Sequence, residues 1–331
     1  MLTGATGFVG GNLLALLLEQ GFRVRCLVRG GKLPPLASDR WDVEACQGDL
    51  RDFESVESCA AGCEVIFHVA ADYRLWVPDP HIMFAINVEG TRNVLRAAAK
   101  VGVRRVIHTS TVGTLGIPSD GSPGTEETPV GLQDMVSPYK RSKFLAEQEA
   151  LRAAAEGVDV VVVNPSTPVG AGDVKPTPTG RIITDFLNRR MPAYVDTGLN
   201  LVHVKDVASG HILAMERGRS GEKYILGNEN LTLREILGLL AGICGIPAPR
   251  VRLPRVPILA LAYLNEAVSR WVTHKEPRIP LDGVRMAAKR MFFDASKAVR
   301  ELGMPQTPVR QALEEAVQWF RDNGYVGRQV A

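Results

Sequence analysis

Two side chains with complementary proton chemistry stand four residues apart in "SPYKRSK" (137–143): the phenol of Tyr139 and the ammonium of Lys143. Ser137 is a good N-cap and Pro138 suits the first helical position, so the run that follows is predicted to be a helix. Residues four apart share one helix face, which brings the two groups together. A free phenol has a pKa of about 10, too high for a base at neutral pH, and a neighbouring cation lowers it by favouring the phenolate. Such a pair can take a proton from an alcohol or give one to a carbonyl oxygen. Tyr-x-x-x-Lys also arises by chance on solvated helices, so the rest of the chain must supply what the chemistry needs. Upstream, the strand-like run "RRVIHTSTVGTLG" carries the hydroxyls of Ser110 and Thr111 to its carboxyl end.

A second constellation opens the chain. "LTGATGFVGG" sets Gly4, Gly7 and Gly10 in G-x-x-G-x-x-G spacing before the helix-forming run "GNLLALLLEQ". Gly4 permits a tight turn, Gly7 a close approach by a pyrophosphate, and Gly10 close packing of helix on strand. Free N–H groups at the helix start then face the phosphates. One departure stands out: only Met1 and Leu2 remain of the strand that should precede the turn. Either the natural start lies upstream, or the central strand is short at some cost in stability. After the next strand, "CLVRGGK" puts Arg29 and Lys32 where an NAD-specific fold places an acid for the ribose hydroxyl. A guanidinium suits a 2′-phosphate, so NADP(H) is favoured over NAD(H), with a solvated strand-end arginine as the alternative.

These residues need a scaffold, and the pattern supplies one. "FRVRCLV", "CEVIFHVAA", "RRVIHTS" and "VDVVVVNPS" read as buried strands, separated by "GGNLLALLLEQ", "DFESVESCAA", "NVEGTRNVLRAAAKVG" and "KFLAEQEALRAAAE" as helices. That alternation predicts an α/β fold, a doubly wound parallel sheet of Rossmann type with a crevice at the carboxyl ends of its strands. Residues 1–165, with segments returning at 200–228 ("LVHVKDVASGHILAMER" and "EKYILGN"), are expected to form the nucleotide-binding domain. Residues 166–199 and 229–331, richer in proline, are expected to form a smaller, mainly helical substrate lobe.

Bulk properties exclude several classes. The 331 residues carry 39 basic and 36 acidic side chains without a basic tract, so charge gives no reason to expect nucleic acid. Five cysteines without zinc-type spacing, and no histidine pair at ligand spacing, predict no metal and fit a reduced, cytoplasmic interior. A glycine turn at the very start argues against a signal peptide. The longest apolar run, "VPILALAYLNEAV" (256–268), is too short for a membrane span, and "RWVTHK" (270–275) after it leaves shallow membrane contact as a minor alternative to a buried helix.

With both constellations in place, the chain resembles an extended short-chain dehydrogenase/reductase. Matching strings are "TGATGFVG", "GDL", "FHVAA", "NVEGTRNVL", "TSTVGTLG" and "YKRSK". Within that superfamily "ADYRLW", "KPTPTGRII", "MPAYVDTGLNLVHV" and "MFFDASKAVRELG" look most like the hopanoid-associated sugar epimerases, with dihydroflavonol-reductase-like enzymes as near relatives. The resemblance implies Tyr139 as acid/base, Lys143 as its partner and holder of the nicotinamide ribose, and Thr111 as donor to the reacting oxygen, with Ser110 the neighbour that could confuse that assignment. It implies Asn87 as a supporting residue. Thr6, Phe8 and Val9 would complete the phosphate turn, Asp49 and Leu50 bracket the adenine, Val69, Ala70 and Ala71 make room for the cofactor, and Pro165 with Ser166 lie near the carboxamide. A homodimer packed through 87–101 and 139–156 is the family expectation.

Three reactions share this equipment. A sugar or nucleotide-sugar epimerase linked to hopanoid biosynthesis is the first expectation, and an NADPH-dependent ketone or aldehyde reductase the alternative. Dehydration is disfavoured, because Val112 and Gly113 stand where that chemistry needs carboxylates. A non-catalytic NADP(H) sensor is the remaining class. Small-molecule contacts are sought in Tyr73, Arg74 and Trp76 on one loop, in Lys175, Thr177, Thr179 and Arg181 on another, and in His203; each could equally be packing.

Overall fold

Val160–Val163 are all fully buried, as expected of a strand covered on both faces. Burying each such side chain stabilises the fold by roughly 1.5–3 kcal/mol. In the computed structural model of the chain, which describes residues 1–33, 41–74, 76–273, 277, 281–286 and 289–327, that strand lies near one edge of a seven-stranded parallel sheet. The strands are β1 (Leu2–Thr3), β2 (Val24–Val28), β3 (Val43–Gln47), β4 (Val65–His68), β5 (Arg105–Thr109), β6 (Val160–Pro165) and, after three strands outside this sheet, β10 (Lys223–Leu226). Their order is β10-β6-β5-β4-β1-β2-β3. The order reverses between β1 and β4, which places a ligand crevice at their carboxyl ends.

Helices α1 (Phe8–Glu19), α7 (Val204–Arg217) and α11 (Ser296–Leu302) cover one face, where Leu13, Leu14 and Leu17 meet Ile107, Val161, Val207 and Leu302. On the other face are α2 (Phe53–Ala60), α4 (Gly90–Val101) and α5 (Pro138–Ala155), where Val56, Val94, Leu95 and Ala150 pack on Ile66, Val106 and Val162. The short α3 (Pro80–Phe84) leads into α4 through a wide π-helical turn, Ala85–Glu89. Two of the expectations need correction. β3 was missed, because "VEACQ" is polar and only partly buried at the sheet edge. The "LVHV" strand does not return to the large sheet: β9 (Gly198–His203) joins β7 (Thr167–Val169) and β11 (Glu229–Thr232) in a separate sheet, and only α7 and β10 rejoin the main one.

The remaining elements build a second core beside the crevice. α6 (Pro178–Leu187), α8 (Leu233–Cys244) and α12 (Val309–Asp322) interlock through Ile183, Phe186, Leu237, Leu240, Leu313 and Phe320. β8 (Ala193–Val195) pairs with β12 (Val251–Leu253), which leads to α9 (Arg255–Val268) and α10 (Leu281–Met286). His274 and Lys275 of the "RWVTHK" string lie outside the described residues.

Candidate active site

The glycine corner follows from close approach. Gly4 has φ +78°, and a Cβ there would stand 2.7 Å from the Ala70 nitrogen; a Cβ on Gly10 would stand 2.1 Å from the Gly4 oxygen. Only glycine fits either position. Gly7, the N-cap of α1, offers no side chain to the first turn, so those amides are left for an anion, and Thr6 beside it is exposed while Phe8 and Val9 are half-buried. Arg29 and Lys32 are exposed beyond β2. Asp49 is held at about 2, chiefly by the Arg51 guanidinium, with Arg29 adding to the effect. Leu50 is buried beneath it, Val69, Ala70 and Ala71 line the corner half-buried, and Pro165 closes β6. The buried Ser166 hydroxyl there has no protein partner. An uncapped helix start, a cradle that any Cβ would fill and an orphaned hydroxyl fit a dinucleotide.

At the end of β5 the structure separates the two neighbouring hydroxyls. Ser110 turns away to donate to Glu147 at 2.5 Å, so its side chain is withdrawn as a cofactor contact. Thr111 points the other way: its Oγ1 accepts from the Gly113 amide at 3.1 Å and bears on the Tyr139 phenol. Tyr139 sits on the first turn of α5, which Ser137 caps by accepting from the Lys140 amide at 3.1 Å. Burial pushes the phenol up to about 12, against a smaller lowering by Thr111. Lys143 does not offset that burial in the free chain: its Nζ donates to the Thr109 carbonyl at 2.7 Å, and burial lowers Lys143 itself to about 8, with Glu147 pulling the other way. Proximity on one helix face does not outweigh desolvation here.

Asn87 occupies the π turn with every hydrogen bond spent. Its Oδ1 accepts from the Asp72 amide at 2.7 Å, and its Nδ2 donates to the Asp72 carbonyl and to Ser142 Oγ, both at 2.9 Å. Ser142 in turn donates to the Tyr139 carbonyl at 2.9 Å. Behind it runs a chain of buried polar groups. Thr3 Oγ1 accepts from the Val69 and Ala70 amides and pairs with His68 Nδ1; His68 Nε2 pairs with Thr91 Oγ1, which donates to the Asn87 carbonyl. Thr91 has spent its proton, so His68 must donate from Nε2 and accept at Nδ1. The glycine corner and the catalytic helix are thereby tied to one buried imidazole.

Glu147, also missed, is 1% exposed and lies one turn beyond Lys143. Its Oε2 accepts from Ser110, Thr114 (2.7 Å) and Asn164 (2.8 Å), and Lys223 Nζ stands 3.9 Å from Oε1. The signal was the same i, i+4 spacing continued from Lys143.

The candidate substrate contacts divide. Tyr73 is 44% exposed, and burial with the Asp173 charge raises its pKa; Arg181 and Asp72 also bear on it, so the two loops do meet. Arg74 pairs with Asp72 at 2.5 Å. Trp76 buries its indole nitrogen without a partner, and Lys175 is exposed. Three assignments are corrected. Thr177 caps α6 and donates to Asp173, and Thr179 is buried within that helix. His203 caps α7 through Nδ1 and meets Glu315 at 3.2 Å through Nε2, which commits both ring nitrogens. Asp173 was not foreseen: it is buried with one carboxylate oxygen unpartnered beside this loop.

Comparison with known proteins settles the lineage. The model of the NAD dependent epimerase/dehydratase family matches residues 1–227. The chain belongs to that family. As a member of the NAD-dependent epimerase/dehydratase family it is an extended short-chain dehydrogenase/reductase and an enzyme. It is 48% identical, over 99% of its length and 96% of the other's, to a Synechocystis sp. protein named "Putative dihydroflavonol 4-reductase". It is 36% identical, over 98% and 99%, to "Sterol demethylase protein B" of Methylococcus capsulatus. A solved nucleoside-diphosphate-sugar epimerase from Pseudomonas aeruginosa superposes with a TM-score of 0.80 at 26% identity, covering 98% of both chains.

Proposed function

We propose that this enzyme reduces a ketone or aldehyde on a lipophilic molecule with NADPH, Tyr139 giving the proton. The observation that carries this is the grouping of Thr111 at the end of β5 with Tyr139 on the first turn of α5 and Lys143 one turn further along the helix. When bound, the nicotinamide supplies the hydride to the carbonyl carbon. The Thr111 hydroxyl holds the carbonyl oxygen, Tyr139 Oη gives it a proton, and the Lys143 ammonium stabilises the phenolate left behind. Asn87 acts through position alone, fixing the first turn of α5 against the Asp72 loop. Support for the substrate class comes from the relatives, named for a dihydroflavonol and a sterol. Arg29 beyond β2 supports NADP(H).

A sugar epimerase is the second reading, favoured by the likeness to the Pseudomonas enzyme. Cofactor consumption with a panel of apolar ketones and aldehydes separates the two: a reductase uses NADPH stoichiometrically and in preference to NADH, whereas an epimerase uses none net. Tyr139→Phe is expected to lower kcat by about 10²–10⁴-fold with cofactor binding retained. Turnover that survives this change removes the mechanism.

A further inference from the structure

α9 is amphipathic in the wrong direction for a helix on a soluble core. Pro257, Ala260, Leu261, Leu264 and Val268 lie on one face, and all are exposed. The π-helical turn Ser269–Thr273 continues the line to Trp271, which is 78% exposed; Leu264 is 63% exposed. The opposite side of the helix holds buried Ala262 and packs against α10, so the exposed stripe is not α9's own core. Exposed apolar stripes of this kind mark contact surfaces.

We infer that this stripe docks on an anionic lipid bilayer. Charge decides the occupant. Around α9 the described basic residues Arg250, Arg252 and Arg285 are exposed, whereas the acidic Glu266 and Asp282 are half-buried. A second copy paired through this face would set like charge against like, while an anionic headgroup layer complements it. The flanking groups also suit a headgroup boundary. Tyr263, half-exposed, accepts a hydrogen bond from Arg285 at 2.9 Å, and Trp271 stands alone in solvent. Aromatic rings beside basic residues settle at that depth.

The stripe adjoins the candidate site. Directly after the α9–α10 pair, Met291 and Phe293 pack on Val112 and Leu115, the loop that follows Thr111. The Lys289 charge bears on Lys140, next to Tyr139. Docking would therefore bring the crevice mouth to the acyl boundary, where an apolar substrate is dissolved. That last step rests on the proposed reductase reading; the docking itself does not.

Co-sedimentation of the full chain with phosphatidylcholine vesicles, with and without about 30% phosphatidylglycerol, tests the inference. The chain is expected to pellet with the anionic vesicles, at least about tenfold less with neutral ones or for Leu261→Asp/Leu264→Asp, and less at high salt. Trp271→Ser, at a fully solvated position, gives an independent weakening should the double variant fold poorly. NADPH binding and turnover of a small water-soluble carbonyl are expected to be unchanged in both, which separates failure of docking from failure of the reaction. A chain that stays in the supernatant, or variants that bind as the parent does, would overturn the inference. So would loss of self-association in the variants without any vesicle binding, which would assign the stripe to a second copy.

Discussion

Lys143 carries a charge its surroundings do not favour. Burial brings it from about 10.5 unfolded to about 8 folded. Between those values the unfolded chain binds more protons, so this group's contribution to stability rises with pH across that window and its penalty is full below about 8. The penalty is of the order of 3 kcal/mol, set against about 1 kcal/mol for the bond to the Thr109 carbonyl. Lys143→Met is therefore expected to raise the melting temperature while reductase activity falls by about 10²-fold or more. Calorimetry beside steady-state rates checks both, and a lower melting temperature would show that the charge is compensated. In the parent enzyme, carbonyl reduction should decline above about pH 8 as Lys143 loses its proton, with Tyr139 at about 12 still protonated.

α5 does more than present the Tyr and Lys. Through Glu147 it clamps the ends of β5 and β6, because one buried carboxylate oxygen gathers donors from Ser110, Thr114 and Asn164. Glu147→Leu takes the carboxylate acceptor from Ser110 and leaves Thr114 and Asn164 to share the Thr111 carbonyl, and is expected to cost roughly 3–5 kcal/mol, read as a lowered denaturant midpoint. Glu147→Gln keeps an acceptor and should cost less; equal losses would point to packing instead. What could be read from sequence divides at this level. Continuous apolar runs disclosed β2, β4, β5 and β6, and the glycine and Tyr-Lys spacings disclosed the corner and the helix start, because each is a local pattern. The Glu147 clamp, the His68 chain and the roles of His203 and Thr177 stayed hidden, since each depends on partners distant in the chain. β3 escaped because an edge strand need not be apolar.

At the scale of the molecule, burial holds three of the described histidines neutral. Desolvation lowers His68 to about 3, with Lys143 adding to it, lowers His211 to about 4, and holds His108 well below its ordinary range. An unfolded imidazole binds its proton at about 6.5, so as pH falls below that value the unfolded state gains protons that the native state refuses. Each group removes up to about 1.4 kcal/mol of stability per pH unit in that range. Asp282, raised to about 6, and Glu126 and Asp173, both raised by burial, work in the opposite sense from lower starting values. The melting temperature should hold level above about pH 7 and drop steeply toward pH 5. A flat profile over that interval would mean that the imidazoles are hydrated and titrate normally.

The wide turn at Ala85–Glu89 fixes a count as well as a shape. It spends one residue more than ordinary α winding would over the same path. Deleting a single residue there would let the helix close to ordinary α winding over the same path, shifting the residues of the turn off their present directions. Asn87 would swing off its three partners while the composition of the helix stayed almost unchanged. Spacing in this part of the chain is thus as much a determinant of the site as the identity of the amide it carries.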